Sequence, residues 1–556
     1  MKLLAPAMFR WMAAAAVLLL PAVAAVQPAA AQDVKPILVV SLASIEDTLA
    51  DVGYITKASG NEEAGRTAIL FGNAFTGGID KKKPIGAYVV PQGGEFPAVI
   101  FVPVTDLKQV LETYKEQLGE PKDAGDGVQE VGMGQSAFVK EQGGWAFVAQ
   151  QKEHLVGLPA DPAALLGTMP KEYNVAVKVL ANNIPDELKK AGVDQIKAAF
   201  EQQFQAGAAD APPDQREAME KIGRNSVAQI TRLMEETEEL TFGLSIDSVA
   251  KKTFFDVAII AKDGTPLARQ FAMNTGLKSS FAGFKLPEAS VTLNFVGKLS
   301  PEDILAQVNL LNTMKTQVMK QIDDDANIEA GKREPVKMIV GQLMDVATKT
   351  FESGKMDGGA ALVLEPKNIS FVAGGYLADG AALDAAFRKL VEVAKDEPEF
   401  PKVQFDVATH GGVKFHTLSA PIPEGEAEAR EFFGPNIDIV LGTSANSAFL
   451  AFGKDAQNLI KKVMDSSATL AEQEAQPMQL HVSLLPILKF AQSVDENPIL
   501  PALVSTLEQA GNDKISITST GTGRGSTARF EIGEGVLQVI GEAVKTFAGG
   551  AIPGAL

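Results

Sequence analysis

The sequence predicts an α+β protein made of two tandem homologous halves, each with a mostly antiparallel sheet backed by helices and built from repeated strand-helices-hairpin-helix units. Three observations carry this expectation. A strand–turn–strand–cap–helix grammar occurs four times. The copies begin near residues 84, 241, 359 and 515, so the first and third lie 275 residues apart and the second and fourth 274. A near-constant offset is the signature of internal repetition. Period-2 apolar runs also alternate with 3.6-period stripes, the pattern of sheet packed on helix.

The clearest copy is Gly358 to Leu390. Ala361 to Leu364 and Ile369 to Leu377 read as strands around the turn Glu365-Pro366-Lys367-Asn368, where proline fixes φ and asparagine tolerates the left-handed region. Asp379 stands at an N-cap position, and Leu383, Phe387, Leu390 and Val391 follow at helical spacing. The first copy, Pro84 to Leu118, turns at Gly93-Gly94 and caps its helix with Thr105 or Asp106. The others run from Thr241 to about Ser280 and from Ile515 to Phe547. Between them, Val128–Val131 resembles Val403–Val407 at an offset of 275. Ala146–Ala149 resembles Ala448–Ala451 at 302, after the extra segment PIPEGEAEAREFFGPN.

Residues 1–31 read as a signal peptide. Lys2 and Arg10 precede the apolar run Met12 to Val26, and Ala29-Ala30-Ala31 offers a cleavage site. This run is short for a membrane span, and no other stretch is long and apolar enough for one. The expectation is an exported protein, periplasmic or extracellular, with no integral membrane span. Ile37 to Leu42 opens the first half as a strand, followed by helices over Ile45–Val52 and Asn61–Phe75. Lys81-Lys82-Lys83 could bind a phosphate or an acidic partner, and a solvated turn is the plainer expectation. Val128 to Gln150 gives two or three short strands, and Tyr173 to Leu180 another. Helices over Pro185–Gln205 and Arg216–Glu239 flank an Ala/Pro/Asp linker at Ala206–Asp214.

Leu286-Pro287-Glu288 is the expected joint between a first half, 32–285 (sub-units about 33–170 and 171–285), and a second, 288–548, with a frayed tail at 549–556. Val291 to Val296 opens the second half. Ser300-Pro301 then starts a helix that carries Ile304, Val308, Leu311, Val318 and Ile322. Its partner is expected over Pro335–Phe351. Methionines 314, 319, 338 and 344 on this pair read as core.

Composition excludes several functions. The chain has no cysteine, so disulfides, thiol catalysis and Cys-based metal centres are ruled out. The formal charge is −18, and −20 once Lys2 and Arg10 leave with the leader. That argues against nucleic acid or anionic lipid surfaces as the main partner.

One metal-like spacing occurs. Asp323, Asp325, Asn327, Glu329 and Glu334 fall at positions 1, 3, 5, 7 and 12 of a calcium-loop pattern between two helices. Ile328 replaces the glycine such a loop needs at position 6, and Pro335 follows at once. The plainer account is a solvated helix connection; calcium is the one cofactor the spacing suggests. His410 and His416 flank Gly411-Gly412. If the glycines form a two-residue turn, the two imidazoles point to opposite faces and do not chelate one ion. His481 is expected on the less buried face of its strand. Ser248-Val249-Ala250-Lys251 and Gly521-Thr522-Gly523-Arg524-Gly525 both sit in expected hairpin turns, away from the contexts that would make them a nucleophile or a phosphate loop.

No catalytic set emerges. The sequence therefore points to an exported non-enzymatic binding or scaffolding protein, with an unknown protein or small apolar ligand as partner, held at the seam of two duplicated halves. The alternatives are an exported hydrolase without a recognisable motif and a carrier of an apolar or lipid ligand.

Overall fold

The computed structural model describes residues 35–548, apart from 93, 133–135, 209–212, 327 and 396–399. The expected signal peptide, the centre of the expected 206–214 linker and the expected 549–556 tail lie outside the described residues. The protein is mixed helix and sheet, mostly antiparallel. It divides into two compact units. The first comprises Met1–Asp194 with Thr237–Ile260, and the second Gln195–Glu236 with Ala261–Leu556. The second thus takes in residues on the N-terminal side of the 286–288 joint.

The first unit holds ten strands: β1 (Leu38–Ser44), β2 (Pro84–Val89), β3 (Ala98–Pro103), β4 (Lys122–Asp123), β5 (Val128–Val131), β6 (Ala137–Gln142), β7 (Trp145–Ala149), β8 (Val175–Leu180), β9 (Thr237–Asp247) and β10 (Lys252–Ala261). Their order across the sheet is 4-5-6-7-3-2-1-8-9-10. Two helices, α1 (Ile45–Ala58) and α2 (Glu62–Ala74), lie between β1 and β2 along the chain, and α3 (Leu107–Thr113) follows β3. Asp106, and not Thr105, caps α3 by accepting the Gln109 N–H at 3.2 Å.

One face of this sheet carries the core. Val39, Tyr88, Phe101, Trp145, Phe147 and Ala176 close it together with Leu166 and Met169. Gly86 lies directly opposite Phe101, and the ring fills the space a Cβ would need, so only glycine fits there.

The second unit holds ten strands that pair with one another: β11 (Val291–Lys298), β12 (Lys355–Glu365), β13 (Asn368–Tyr376), β14 (Lys402–His410), β15 (Val413–Pro421), β16 (Asn436–Thr443), β17 (Ser447–Phe452), β18 (Met478–Ser483), β19 (Lys514–Thr522) and β20 (Gly525–Gly533). The order is 14-15-16-17-13-12-11-18-19-20, antiparallel throughout. Phe449 packs over Gly374 much as Phe101 packs over Gly86. Val128–Val131 forms the fifth strand of its sheet, while Val403–Val407 lies in the fourth of the other. Those two similar segments are therefore not topological counterparts. Ala146–Ala149 and Ala448–Ala451 both lie in seventh strands.

Helices α4 (Asp186–Ala208) and α5 (Pro213–Glu236) lie along the chain between β8 and β9. In the second unit, α6 (Pro266–Met273) precedes β11. A long hairpin of α7 (Pro301–Asp324) and α8 (Ala330–Glu352) joins β11 to β12. Ser300 caps α7, accepting the Asp303 N–H at 3.1 Å, with Pro301 at the first helical position. Helix α8 starts at Ala330, five residues before the expected Pro335, which sits inside the helix. Helices α9 (Gly380–Ala394), α10 (Ala456–Leu470), α11 (Leu484–Val494), α12 (Leu500–Ala510) and α13 (Glu534–Ala548) also belong to the unit, as does a short helix over Ala427–Phe433 between β15 and β16. Among the described residues, no helix is long and apolar enough to cross a membrane.

Candidate functional site

An antiparallel sheet with one buried face normally shows polar side chains on the other. Neither sheet here does. Directly paired residues of an antiparallel ladder point the same way, so the register identifies each face. In the first unit one row runs Val148, Ile100, Ala87, Val40, Val177, Phe242 across six strands. The rows beside it are Ile85, Leu42, Val175, Leu244 and Val89, Leu38, Val179, Leu240. All fourteen side chains are apolar, and all but Val89 keep some exposure. Val175 and Leu244 are 39% and 37% exposed. Helix α3 covers one end, where Leu107 and Leu111 pack on Val131, Val139 and Ala146.

The second unit repeats the pattern. One row is Leu450, Ala373, Ala360, Leu293, Leu480, Ile517, Phe530, and the next is Phe452, Phe371, Leu362, Val291, Val482, Ile515, Ile532. None of these fourteen is fully buried, and Phe530 and Leu450 are more than two-fifths exposed. Helix α9 covers the end over β15 and β16, where Phe387 meets Phe405 and His416.

Beneath α9 lies a buried polar cluster. His416 is fully buried. A bulge in β14 puts Asp406 at φ +54°, and its N–H donates to His416 Nδ1 at 3.2 Å. The imidazole proton therefore sits on Nε2, which lies 3.0 Å from Asp384 Oδ1 and 3.1 Å from Thr443 Oγ1. Arg388 bridges Asp384 and Asp406 at 3.1 and 2.8 Å and stacks over Phe405. Burial holds the His416 pKa below its ordinary value, against the pull of Asp384. A nucleophilic triad needs carboxylate and hydroxyl on opposite ring nitrogens. Here both face Nε2 of a buried ring, so the cluster anchors α9 to the sheet and activates no nucleophile.

A cleft of about 990 Å³ opens at the strand ends of the second unit. Glu365 to Asn368, Lys402, Ser419, Asp438 and the start of α10 line it, with Phe432 and Phe433. These two phenylalanines belong to the extra segment between β15 and β16. Compared with protein-family models, with curated proteins and with solved structures, the chain matches none.

The residues of the calcium-loop spacing are distributed as follows. Asp323 lies in the last turn of α7 and pairs with Lys337, which also lies 3.2 Å from Glu334. Glu329 is the N-cap residue of α8 and lies 3.6 Å from Lys332. Asn327 lies outside the described residues. The connection is closed by Arg333, whose guanidinium donates to the carbonyls of Asp325 at 2.9 Å and Ile328 at 3.3 Å. Among the described residues no group of three or more His, Asp or Glu is placed to hold a metal ion. Titration with calcium is expected to give no saturable heat, and Arg333→Ala to lower stability by about 1–3 kcal/mol in a urea titration. Saturable calcium binding together with a silent R333A would overturn this account.

His410 pairs with Val413 across a turn in which Gly411 and Gly412 both have positive φ. His410 reaches Asp465 at 2.7 Å on one side, and His416 is buried on the other. His481 stands in the row of Thr292, Ser516 and Glu531, with Thr292 buried. It thus lies on the better-covered face of its strand at the β11 end, contrary to the sequence expectation, and Ser516 Oγ is 2.9 Å from its Nδ1. Ser248–Lys251 forms the β9–β10 turn, with Val249 almost fully exposed. Gly521–Gly525 closes the β19–β20 hairpin. The apolar faces escaped sequence reading because alternation along a strand shows which side chains share a face, and not which face is covered.

Proposed function

We propose that the protein is an exported, non-enzymatic carrier whose two sheet faces bind the acyl chains of lipids, and that its two halves arose by tandem duplication. The carrier reading rests on one observation: twenty-eight apolar side chains in registered rows, all but Val89 partly exposed, with no polar side chain among them. A protein partner would need hydrogen bonds, about one per 100–200 Å² of interface, and this surface offers no side chain to make them. Acyl chains need none. The six-strand row of the first unit is about 24 Å long at normal strand spacing. That exceeds one acyl chain, which fills half of the roughly 30 Å hydrocarbon core of a bilayer. Each buried methylene contributes roughly 0.8 kcal/mol. The shared strand order, and the seventh-strand match of Ala146–Ala149 with Ala448–Ala451, support duplication. The leader-like residues 1–31 support export.

The test is titration of residues 32–556 with a fluorescent fatty acid, beside the variant Leu244→Asp/Phe530→Asp. Both positions are partly exposed, so the fold is expected to survive, as circular dichroism will check. Saturable binding that falls at least roughly tenfold in the variant is expected, because a carboxylate against a chain forfeits most of its burial energy. No binding by the parent protein, or an unaffected variant, would sink the reading.

A further inference from the structure

We propose that the second unit selects its lipid by headgroup, taking a zwitterionic phospholipid whose phosphate and ammonium groups sit in the cleft at the strand ends. The inference rests on the carrier reading and adds a ligand class to it. The cleft shares a wall with the apolar face. Phe433 lines the cleft and meets Phe452 edge-on at 6.3 Å. Phe452 stacks on Phe371 at 5.3 Å, and both stand in an apolar row of that face. Phe432, beside it, packs on Phe490 of α11. A molecule with its chains along the row of Phe452, Phe371 and Leu362 thus brings its head to the cleft.

The charges of the cleft specify the head. Lys402 and Lys454 line it, and neither has an anionic partner among the described residues. Its third lysine, Lys367, is neutralised by Glu431 at 2.5 Å. Three carboxylates also line it, each bonded among the described residues to a neutral donor: Asp438 to Ser419 at 2.7 Å, Glu365 to Asn368 at 2.9 Å, and Asp455 to Asn458 at 2.7 Å. Uncompensated charges of both signs in one cleft complement a ligand that carries both. An anionic head would satisfy the lysines and face the carboxylates unpaired, and an uncharged head would leave both sets unused.

The wall that builds the cleft distinguishes the units. In the second, the β15–β16 connection runs from Ile422 to Pro435; in the first, β5 and β6 are joined by residues 132–136 alone. Insertions that single out one repeat often shape the binding face. Headgroup choice is therefore assigned to the second unit and chain binding to both.

The experiment is native mass spectrometry of residues 32–556 offered equal amounts of phosphatidylethanolamine, phosphatidylglycerol and diacylglycerol with identical chains. Preference for phosphatidylethanolamine by roughly fivefold to tenfold is expected. Lys402→Ala/Lys454→Ala, at two exposed positions, is expected to lower phosphatidylethanolamine uptake to the diacylglycerol level while diacylglycerol uptake is unchanged. Asp438→Asn is expected to narrow the margin over phosphatidylglycerol. Equal uptake of all three lipids, or preference for phosphatidylglycerol, overturns headgroup selection and leaves the carrier reading standing. Uptake of none overturns both.

Discussion

Phe147→Ala is expected to destabilise the first unit by about 3–5 kcal/mol, the usual cost of truncating a fully buried phenylalanine. Phe147 has no exposed surface and lies in one aromatic cluster with Phe101 and Trp145. Its ring centroid is 6.4 Å from that of Phe101, which meets Trp145 edge-on at 5.6 Å. The backbone around it cannot close the cavity. Its strand is paired on both sides, with β3 and β6, and Phe101 already fills the space over Gly86. The readout is built in. Of the two tryptophans, Trp11 lies within residues 1–31, so Trp145 is the only one in residues 32–556. Its fluorescence followed through a urea titration should show the midpoint fall for F147A. Val156→Ala, at a position 76% exposed, should move it by less than about 0.5 kcal/mol equivalent. Similar small shifts for both variants would mean that the cluster is not the core of this unit.

Local physics made much of this fold readable in advance. The cap at Asp379, which accepts the Ala382 N–H at 3.0 Å, needs only the chemistry of a helix start. The divergence of His410 and His416 follows from a two-residue turn and the period of a strand. All four hairpin–helix units rest on the same short-range signals. What stayed hidden depends on partners distant in sequence. Pro335 marks a helix start in isolation, yet α8 begins a turn earlier, where Arg333 ties its first turn to the carbonyls of Asp325 and Ile328. His416 meets Asp384, Asp406 and Thr443 only through a bulge and a helix crossing. The cleft gathers residues from Glu365 to Gln457 at the ends of several strands, and no run of sequence contains it.

The apolar faces show a different kind of opacity. A strand such as Val175–Leu180 is apolar on one side and carries Ala176 and Lys178 on the other. Sequence reading assigns the apolar side to the core. In the first unit the core lies on the other side, around Phe101 and Phe147, where glycines 86 and 243 let aromatic rings lie against the backbone. Glycines with large aromatic rings against them mark the tightly packed face, and mostly aliphatic residues mark the open one. That inversion suits a surface reserved for something the chain does not itself supply.

Asp51→Asn is expected to stabilise the protein by about 1–3 kcal/mol at pH 7.5 and to leave it unchanged near pH 3.5. Asp51 lies on α1 with 9% of its surface exposed. Burial, reinforced by the nearby Asp47 carboxylate, pushes its pKa from 3.8 up to about 6, despite the hydrogen bond it accepts from Asn174 Nδ2. The folded protein therefore binds this proton more tightly than the unfolded chain does. Below pH 3.8 the group is neutral in both states and burial costs nothing on this account. Between pH 3.8 and about 6 the unfolded chain ionises first, so stability falls as pH rises. Above about 6 the full cost is present, at most about 3 kcal/mol for a shift of this size. Asparagine keeps an oxygen for the Asn174 amide, whose own carbonyl accepts the Ile246 N–H at 2.5 Å, and it carries no charge to bury. Urea midpoints for both proteins at the two pH values decide the matter. A difference that grows as pH rises from 3.5 to 7.5 identifies a carboxylate held in the wrong solvent. An equal difference at both values would place the effect in packing and remove the electrostatic account.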